Sequence, residues 1–229
     1  MKISLSLLLL LCSCHLLSQP IPVRIKAGEN AAKVLAKEIY TYPLFTKGIV
    51  LHRDGSRSGG LMNYNTLVNE MQFIDSKGDT LALSYPETVR FILIGADSFF
   101  YDRNYAQQLA SGDALRLLKR ATLRVADKQK IGAYDMPTSN ASIESYNSFT
   151  NGLMRFAINV REDILMSRET KYFFADSYGS FHPANRRSLL KLLPRRYKEA
   201  EKYLKEHSVD FTNQADLIRL VDEMNLQQD

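Results

Sequence analysis

The chain has 229 residues, of which 45% are hydrophobic and 24% are charged, and its formal net charge is +5. This length suffices for one large or two small domains with genuine cores. Both cysteines, Cys12 and Cys14, lie near the N-terminus, so disulfide and thiol chemistry are excluded for the rest of the chain.

The N-terminal residues 1–19 have the pattern of an export signal. Lys2 is followed by residues 3–11, which contain seven leucines or isoleucines. A membrane-spanning helix needs about 20 apolar residues, so this run is too short to span a bilayer. The pattern predicts a protein exported to the periplasm or cell envelope.

Two routes of signal removal fit the residues after this run. Ser13 stands directly before Cys14, as in a bacterial lipoprotein box, and this arrangement predicts acylation of Cys14. Ordinary cleavage near Ser18 or Gln19 is the favoured alternative, and an uncleaved anchor is the third reading.

Short β-type runs separated by Gly and Asp turns dominate residues 48–102. Asp54-Gly55 is a strong hairpin signal, and a second turn falls at Gly78-Asp79. This spacing predicts an antiparallel meander that closes into a roll or small barrel.

Two segments are ambiguous between helix and strand. Residues 30–40 place apolar side chains at helical spacing, but their Val, Ile and Tyr also suit a strand. The leucines of residues 115–125 permit a helix, whereas the end at Thr122, Leu123 and Val125 favours a strand.

The second half of the chain begins with a composition shift. Residues 135–151 are poor in apolar side chains and predict a linker or long loop. Residues 154–160 alternate as a half-buried strand, and residues 172–182 predict a hairpin. Three short helices follow. Asn185 is the predicted N-cap of the first, Pro194 lies in the first turn of the second, and Thr212 or Asn213 is the predicted N-cap of the third.

The predicted fold class is therefore α+β. An export signal (1–19) precedes a β-rich roll or barrel (20–134), a linker (135–151), and a region with a β-hairpin and three helices (152–229).

No stretch predicts catalysis, a cofactor or a metal site. His52, His182 and His207 have no metal-ligand spacing, and no nucleophile or phosphate-binding motif occurs. Four carboxylates fall at predicted tight turns, where aspartate commonly binds nearby backbone N–H groups: Asp54, Asp75, Asp79 and Asp97.

The surplus of positive charge first appears in residues 103–131, which hold seven basic side chains against Asp113 and Asp127. Such a segment can contact anionic lipid headgroups, surface polysaccharide or an acidic partner protein, or it can be a solvated face with intramolecular ion pairs. Nucleic acid is disfavoured by export, and attachment to a membrane is expected only through lipidation of Cys14. The predicted binding residues are Arg116, Lys119, Arg120 and Arg124.

Several segments resemble a family of uncharacterised exported proteins of Bacteroidota-type bacteria. They are Leu61-Met62-Asn63-Tyr64-Asn65, residues 70–75 and 77–83, residues 130–134, and the tail 189–211. The resemblance implies a cell-envelope setting and supplies no activity, cofactor or catalytic residue.

The first functional hypothesis is thus a non-enzymatic binding protein of the cell envelope. The alternative is a hydrolase of envelope glycans or peptides that uses turn carboxylates and a histidine. A pocket where two of those side chains converge would favour the enzyme, whereas their dispersal on turn tips would count against it.

Overall fold

The computed structural model describes residues 22–131, 137–139, 163–176 and 178–226. The predicted export signal with Cys14, most of the predicted linker, and the strand predicted at residues 154–160 lie outside them.

The described residues form one twelve-stranded antiparallel sheet. Its strands are β1 (Val23–Ile25), β2 (Thr46–His52), β3 (Arg57–Asn65), β4 (Glu70–Ile74), β5 (Thr80–Ala82), β6 (Val89–Ile94), β7 (Asp97–Asp102), β8 (Asn104–Ser111), β9 (Arg116–Ile131), β10 (Pro137–Ser139), β11 (Asp163–Ala175) and β12 (Phe181–Pro183).

The strand order is β1-β11-β9-β8-β7-β6-β2-β3-β4-β5, with β10 paired to β9 and β12 paired to β11. The hairpin at Asp54-Gly55 joins β2 to β3, and the positive φ of 88° at Gly55 suits a residue without Cβ. The chain then runs outward to β5 and returns so that β6 pairs with the other side of β2.

The sheet curls until the end of β3 approaches β9. There the N–H of Leu123 donates to the carbonyl of Thr66 at 3.0 Å, but no ladder joins β3 to β9 among the described strands. The antiparallel sheet agrees with the predicted class. Since this sheet is open, the closed roll or small barrel stays a prediction.

Side chains on the concave side of the curl form one apolar core, because alternate residues of a strand point to the same face. The members of this core are fully or almost fully buried: Val50, Met62, Tyr64, Met71, Val89, Ile92, Ile94, Phe99 and Tyr105.

The helices are α1 (Ala31–Leu35), α2 (Arg186–Leu192), α3 (Tyr197–Glu206) and α4 (Gln214–Leu226), with 3₁₀ turns at Pro86–Thr88 and Pro194–Arg196. Helix α1 stops well before Tyr40, which forms an isolated bridge with Asn65, so the ambiguous segment 30–40 divides between helix and bridge. None of the described helices is long and apolar enough to cross a membrane.

Helices α2 to α4 cover one end of the sheet. The Asn185 side chain caps α2 by accepting the Ser188 N–H at 2.8 Å, and the Asn213 side chain accepts the Ala215 N–H at 2.9 Å before α4. The helices pack a second core against β9 and β11: Leu115, Leu117, Phe174, Leu189, Leu193, Ala200, Leu217, Leu220, Val221 and Met224.

The ambiguous segment 115–125 belongs to strand β9. This strand pairs with β8 over Arg116–Lys119 on one side and along β11 on the other. Beyond the β8 ladder, the Leu123 N–H donates to the Thr66 carbonyl. Strand β11 comes from the predicted C-terminal region, and β9 comes from the predicted N-terminal region. Both regions therefore contribute to one sheet.

Candidate binding surface

The predicted basic residues all lie on β9, but strand alternation divides them. Arg116, Arg120 and Arg124 are separated by even steps and share one face, whereas Lys119 falls on the opposite face. The structure therefore brings three of the four residues to the same side of the sheet.

Arg124 shares the carboxylate of Glu169 with Lys171 at the surface. Its Nε lies 3.0 Å from the Glu169 carboxylate, and both side chains are exposed. Exposed ion pairs contribute little to stability, but this one leaves Arg124 with less positive charge to offer a ligand.

Arg120 contacts both strand β8 and the β11–β12 hairpin. Its Nε donates to the Tyr105 carbonyl at 3.1 Å, and its guanidinium lies 4.7 Å from the centre of the Phe173 ring. Burial lowers the pKa of Arg120, an effect opposed by the nearby Tyr64 and Asp102. These contacts give Arg120 a sufficient structural reason for its position.

Arg116 differs from Arg120 because it has no acceptor. Its guanidinium carbon lies 4.4 Å from the centre of the Phe100 ring, and its buried Nε has no hydrogen-bond partner among the described residues. Burial lowers the pKa of Arg116, yet an arginine stays charged at neutral pH. Arg116 is therefore a half-buried cation without a hydrogen-bonded counter-charge among the described side chains.

Arg116 and Phe100 border a broad apolar surface on the convex side of the sheet. The register aligns Ile49 with Leu93 and Leu51 with Phe91. The Phe91 and Phe100 rings lie 5.9 Å apart. We call this surface the outer face and define it by nine residues: Lys47, Ile49, Leu51, Arg57, Leu61, Phe91, Leu93, Phe100 and Arg116.

The outer face is cationic as well as apolar. Lys47 and Arg57 are exposed and stand opposite Leu61 and Leu51, respectively, in the β2–β3 ladder. In the outward positions of β2, β3, β6 and β7, the one carboxylate is Asp102, which accepts the Phe181 N–H at 2.8 Å. Positive charge therefore borders the apolar residues with little acidic compensation.

The turn carboxylates do not meet in a common site. Asp54 accepts the Ser56 hydroxyl at 2.7 Å, and hydrogen bonds from Ser56 hold its pKa below the usual range. Asp75 accepts the N–H of Asp79 at 2.8 Å within its own turn, and Asp97 accepts the Tyr42 hydroxyl at 2.5 Å. Asp54 and Asp75 therefore bind groups of their own turns, as expected for turn residues, whereas Asp97 binds a residue 55 positions away.

The three histidines are likewise dispersed. His52 lies 3.2 Å from the Ser58 hydroxyl, His182 lies 3.1 Å from the Asp176 carboxylate, and His207 lies 3.1 Å from the Tyr203 carbonyl. Within the described residues, no group of three or more His, Cys, Asp or Glu side chains could hold a metal ion.

A groove of about 960 Å³ lies between helices α3 and α4. The Tyr203 and His207 rings stack in it at 4.2 Å, and Arg219 pairs there with Asp216. The groove contains none of the predicted binding residues and none of the turn carboxylates.

Comparisons with protein-family models, curated proteins and solved structures found no match. The resemblance to exported Bacteroidota-type proteins therefore remains a prediction from the sequence.

Sequence reasoning missed the apolar members of the outer face. The available signal was the unbroken apolar run in β2 and β6, where Ile49-Val50-Leu51 and Phe91-Ile92-Leu93 place large side chains on both faces. Such runs predict strands covered on both sides, or an exposed apolar surface where one cover is missing.

Proposed function

We propose that this chain is an exported, periplasmic, non-enzymatic binding protein of the bacterial cell envelope, and that its outer face binds an anionic envelope component or a partner protein. Arg116 carries the proposal, because its guanidinium is half-buried on Phe100 without an acceptor. A ligand that brings negative charge to this position would compensate the cation.

The setting is part of the proposal. The pattern of residues 1–19 supports export, either with cleavage near Ser18 or Gln19 or with acylation of Cys14. The resemblance to exported Bacteroidota-type proteins supports the envelope. Cell fractionation tests the location. Incorporation of labelled palmitate, compared with a Cys14→Ser variant, tests the lipid.

Asp54, Asp75 and Asp97 do not support the alternative hydrolase. Glycoside hydrolysis needs two carboxyl groups facing one bond across about 5–10 Å. Asp54 and Asp75 instead accept bonds inside their own turns, and Asp97 accepts the Tyr42 hydroxyl.

A capture experiment tests the binding proposal. The full chain is immobilised and exposed to envelope extract as wild type, as Arg116→Gln and as Arg187→Gln. Arg187 is exposed on helix α2, is not one of the nine residues of the outer face, and provides a matched loss of one positive charge.

We expect Arg116→Gln to retain clearly less envelope material than wild type, and Arg187→Gln to retain the wild-type amount. Equal capture by all three proteins would refute the outer face as the binding surface.

A further inference from the structure

The most exposed apolar side chains of the outer face lie on neighbouring strands. Ile49 on β2 is 50% exposed, and Leu61 on β3 is 43% exposed. Gly59 stands opposite Ile49 and has no side chain to cover it. This pair of residues is therefore open to an approaching surface.

Three cations accompany these apolar residues. Lys47 stands opposite Leu61, Arg57 stands opposite Leu51, and Arg116 lies over Phe100. None of the three makes an ion pair with a carboxylate among the described residues. Their charge is available to an anionic partner.

We infer that the outer face docks on an anionic membrane surface, with phosphate headgroups against Lys47, Arg57 and Arg116 and with Ile49 and Leu61 entering the headgroup–acyl boundary. This inference rests on the proposed function, for which it names the anionic component.

Charge and polarity together favour a lipid surface. A polysaccharide would compensate the cations but would leave Ile49 and Leu61 in water. An apolar protein patch would cover Ile49 and Leu61 but would desolvate the cations without supplying opposite charge. A bilayer of anionic lipid provides charged headgroups directly above an apolar layer, which is the combination that interfacial binding uses.

The chain contains no tryptophan, so a single Leu61→Trp substitution creates a specific optical probe. Leu81→Trp is the matched control, because Leu81 is 45% exposed on β5. The register pairs Leu81 with Phe73 and Phe73 with the buried Met62, which places Leu81 on the other side of the sheet from Leu61.

The experiment mixes the processed exported chain with vesicles of equal parts phosphatidylglycerol and phosphatidylethanolamine, or with vesicles of phosphatidylcholine alone. We expect the Leu61→Trp emission to shift to shorter wavelength with the anionic vesicles only, and the Leu81→Trp emission to stay unchanged. An unshifted Leu61→Trp emission, or equal shifts at both positions, would overturn the inference.

Co-sedimentation with the same vesicles tests the charges. Arg57→Gln and Arg116→Gln should each weaken anionic-vesicle binding about fivefold, and added salt should weaken it further. Arg187→Gln should bind like wild type. An acyl chain would contribute equally to every variant, so equal loss in Arg57→Gln and Arg187→Gln would also overturn the inference.

The two proposals fail differently. If Arg116→Gln reduces capture from envelope extract but no variant changes vesicle binding, the partner is a soluble protein or a second copy of the chain. In that case the proposed function stands and the membrane inference falls. Thermal unfolding of each variant shows that lost binding is not lost folding.

Discussion

Asn225 of helix α4 and Leu115, the residue just before β9, exchange hydrogen bonds in both directions. The Asn225 amide donates to the Leu115 carbonyl at 3.1 Å, and its oxygen accepts the Leu115 N–H at 3.1 Å and the Ala114 N–H at 3.2 Å. The Asn225 side chain thus bonds backbone groups of the β8–β9 turn as a neighbouring strand would, and it links helix α4 to the sheet.

The first prediction concerns this tie. Asn225→Ala leaves the N–H groups of Ala114 and Leu115 without their partner, at a cost of about 1–3 kcal/mol for each group that stays unsatisfied. The Leu115 carbonyl still accepts the Gly112 N–H at 3.2 Å. Urea unfolding measures the change. Asn225→Asp keeps the acceptor and loses only the donor, so it should cost less than Asn225→Ala. The reverse order would contradict the role of the two N–H groups.

The second prediction compares two glycines in the β2–β3 hairpin. A Cβ on Gly48 would lie 2.9 Å from the Leu93 carbonyl and 3.0 Å from the Met62 sulfur, while a Cβ on Gly60 would meet nothing within 4 Å. Gly48→Ala should destabilise the protein by about 1–3 kcal/mol through overpacking. Gly60→Ala should be neutral or slightly stabilising, because it restricts the unfolded chain. Equal melting temperatures for the two variants would exclude the predicted crowding.

The third prediction concerns alkaline stability. Burial, followed by the hydrogen bond and the charge of Asp97, raises the pKa of the Tyr42 hydroxyl above its usual 10.0. The folded state therefore holds this proton more tightly than the unfolded state, and that part of the stability is lost as the pH rises above about 10. Tyr42→Phe should be less stable at neutral pH and should lose less on further alkalinisation than wild type. Circular dichroism across this range is the measurement.

Tyr178→Phe is the control for that experiment, since Tyr178 is 90% exposed. It should follow the wild-type curve. A Tyr42→Phe curve parallel to wild type throughout the alkaline range would show that Tyr42 does not carry this dependence.

The fourth prediction concerns acid stability of the β11–β12 turn. Burial alone would raise the pKa of Asp176, but hydrogen bonds from His182, Ser180 and Tyr178 outweigh it and hold the pKa below 3.8. A lowered pKa adds stability that is present above about pH 4 and is lost as the pH falls further. Asp176→Asn should therefore remove part of the stability at neutral pH and flatten its decline in acid.

His182→Gln separates the two contributions to this turn. It removes the histidine but retains the N–H groups of Tyr178 and Ser180, which lie 2.9 Å from Asp176 Oδ1. Its acid profile should fall between wild type and Asp176→Asn. A His182→Gln profile as flat as that of Asp176→Asn would assign the whole effect to the histidine.

Local chemistry made several elements predictable. The Asp54-Gly55 hairpin could be read from two residues because few sequences accept the positive φ that Gly55 adopts. The caps at Asn185 and Asn213 could be read because an Asn side chain reaches N–H groups only two or three residues away.

The sequence predicted only part of the candidate binding surface. A cluster of basic residues on β9 is visible in the chain, but the strand period separates Lys119 from its neighbours. Glu169, which is distant in sequence but lies on the adjacent strand β11, pairs with Arg124. Whether a cation is compensated depends on partners that lie far away in sequence.

The sequence by itself determined the β-rich character, the tight turns, the caps and the surplus of positive charge, since these depend on neighbouring residues. Only the tertiary structure decided that residues 116–125 form a strand. Their leucines fit the helical period as well as the strand period, and the pairing with β8 and β11 favours the strand. It also decided that β6 returns beside β2. That pairing places Phe91 against Phe100 and, with the curl of the sheet, leaves Arg116 on an aromatic ring without an acceptor.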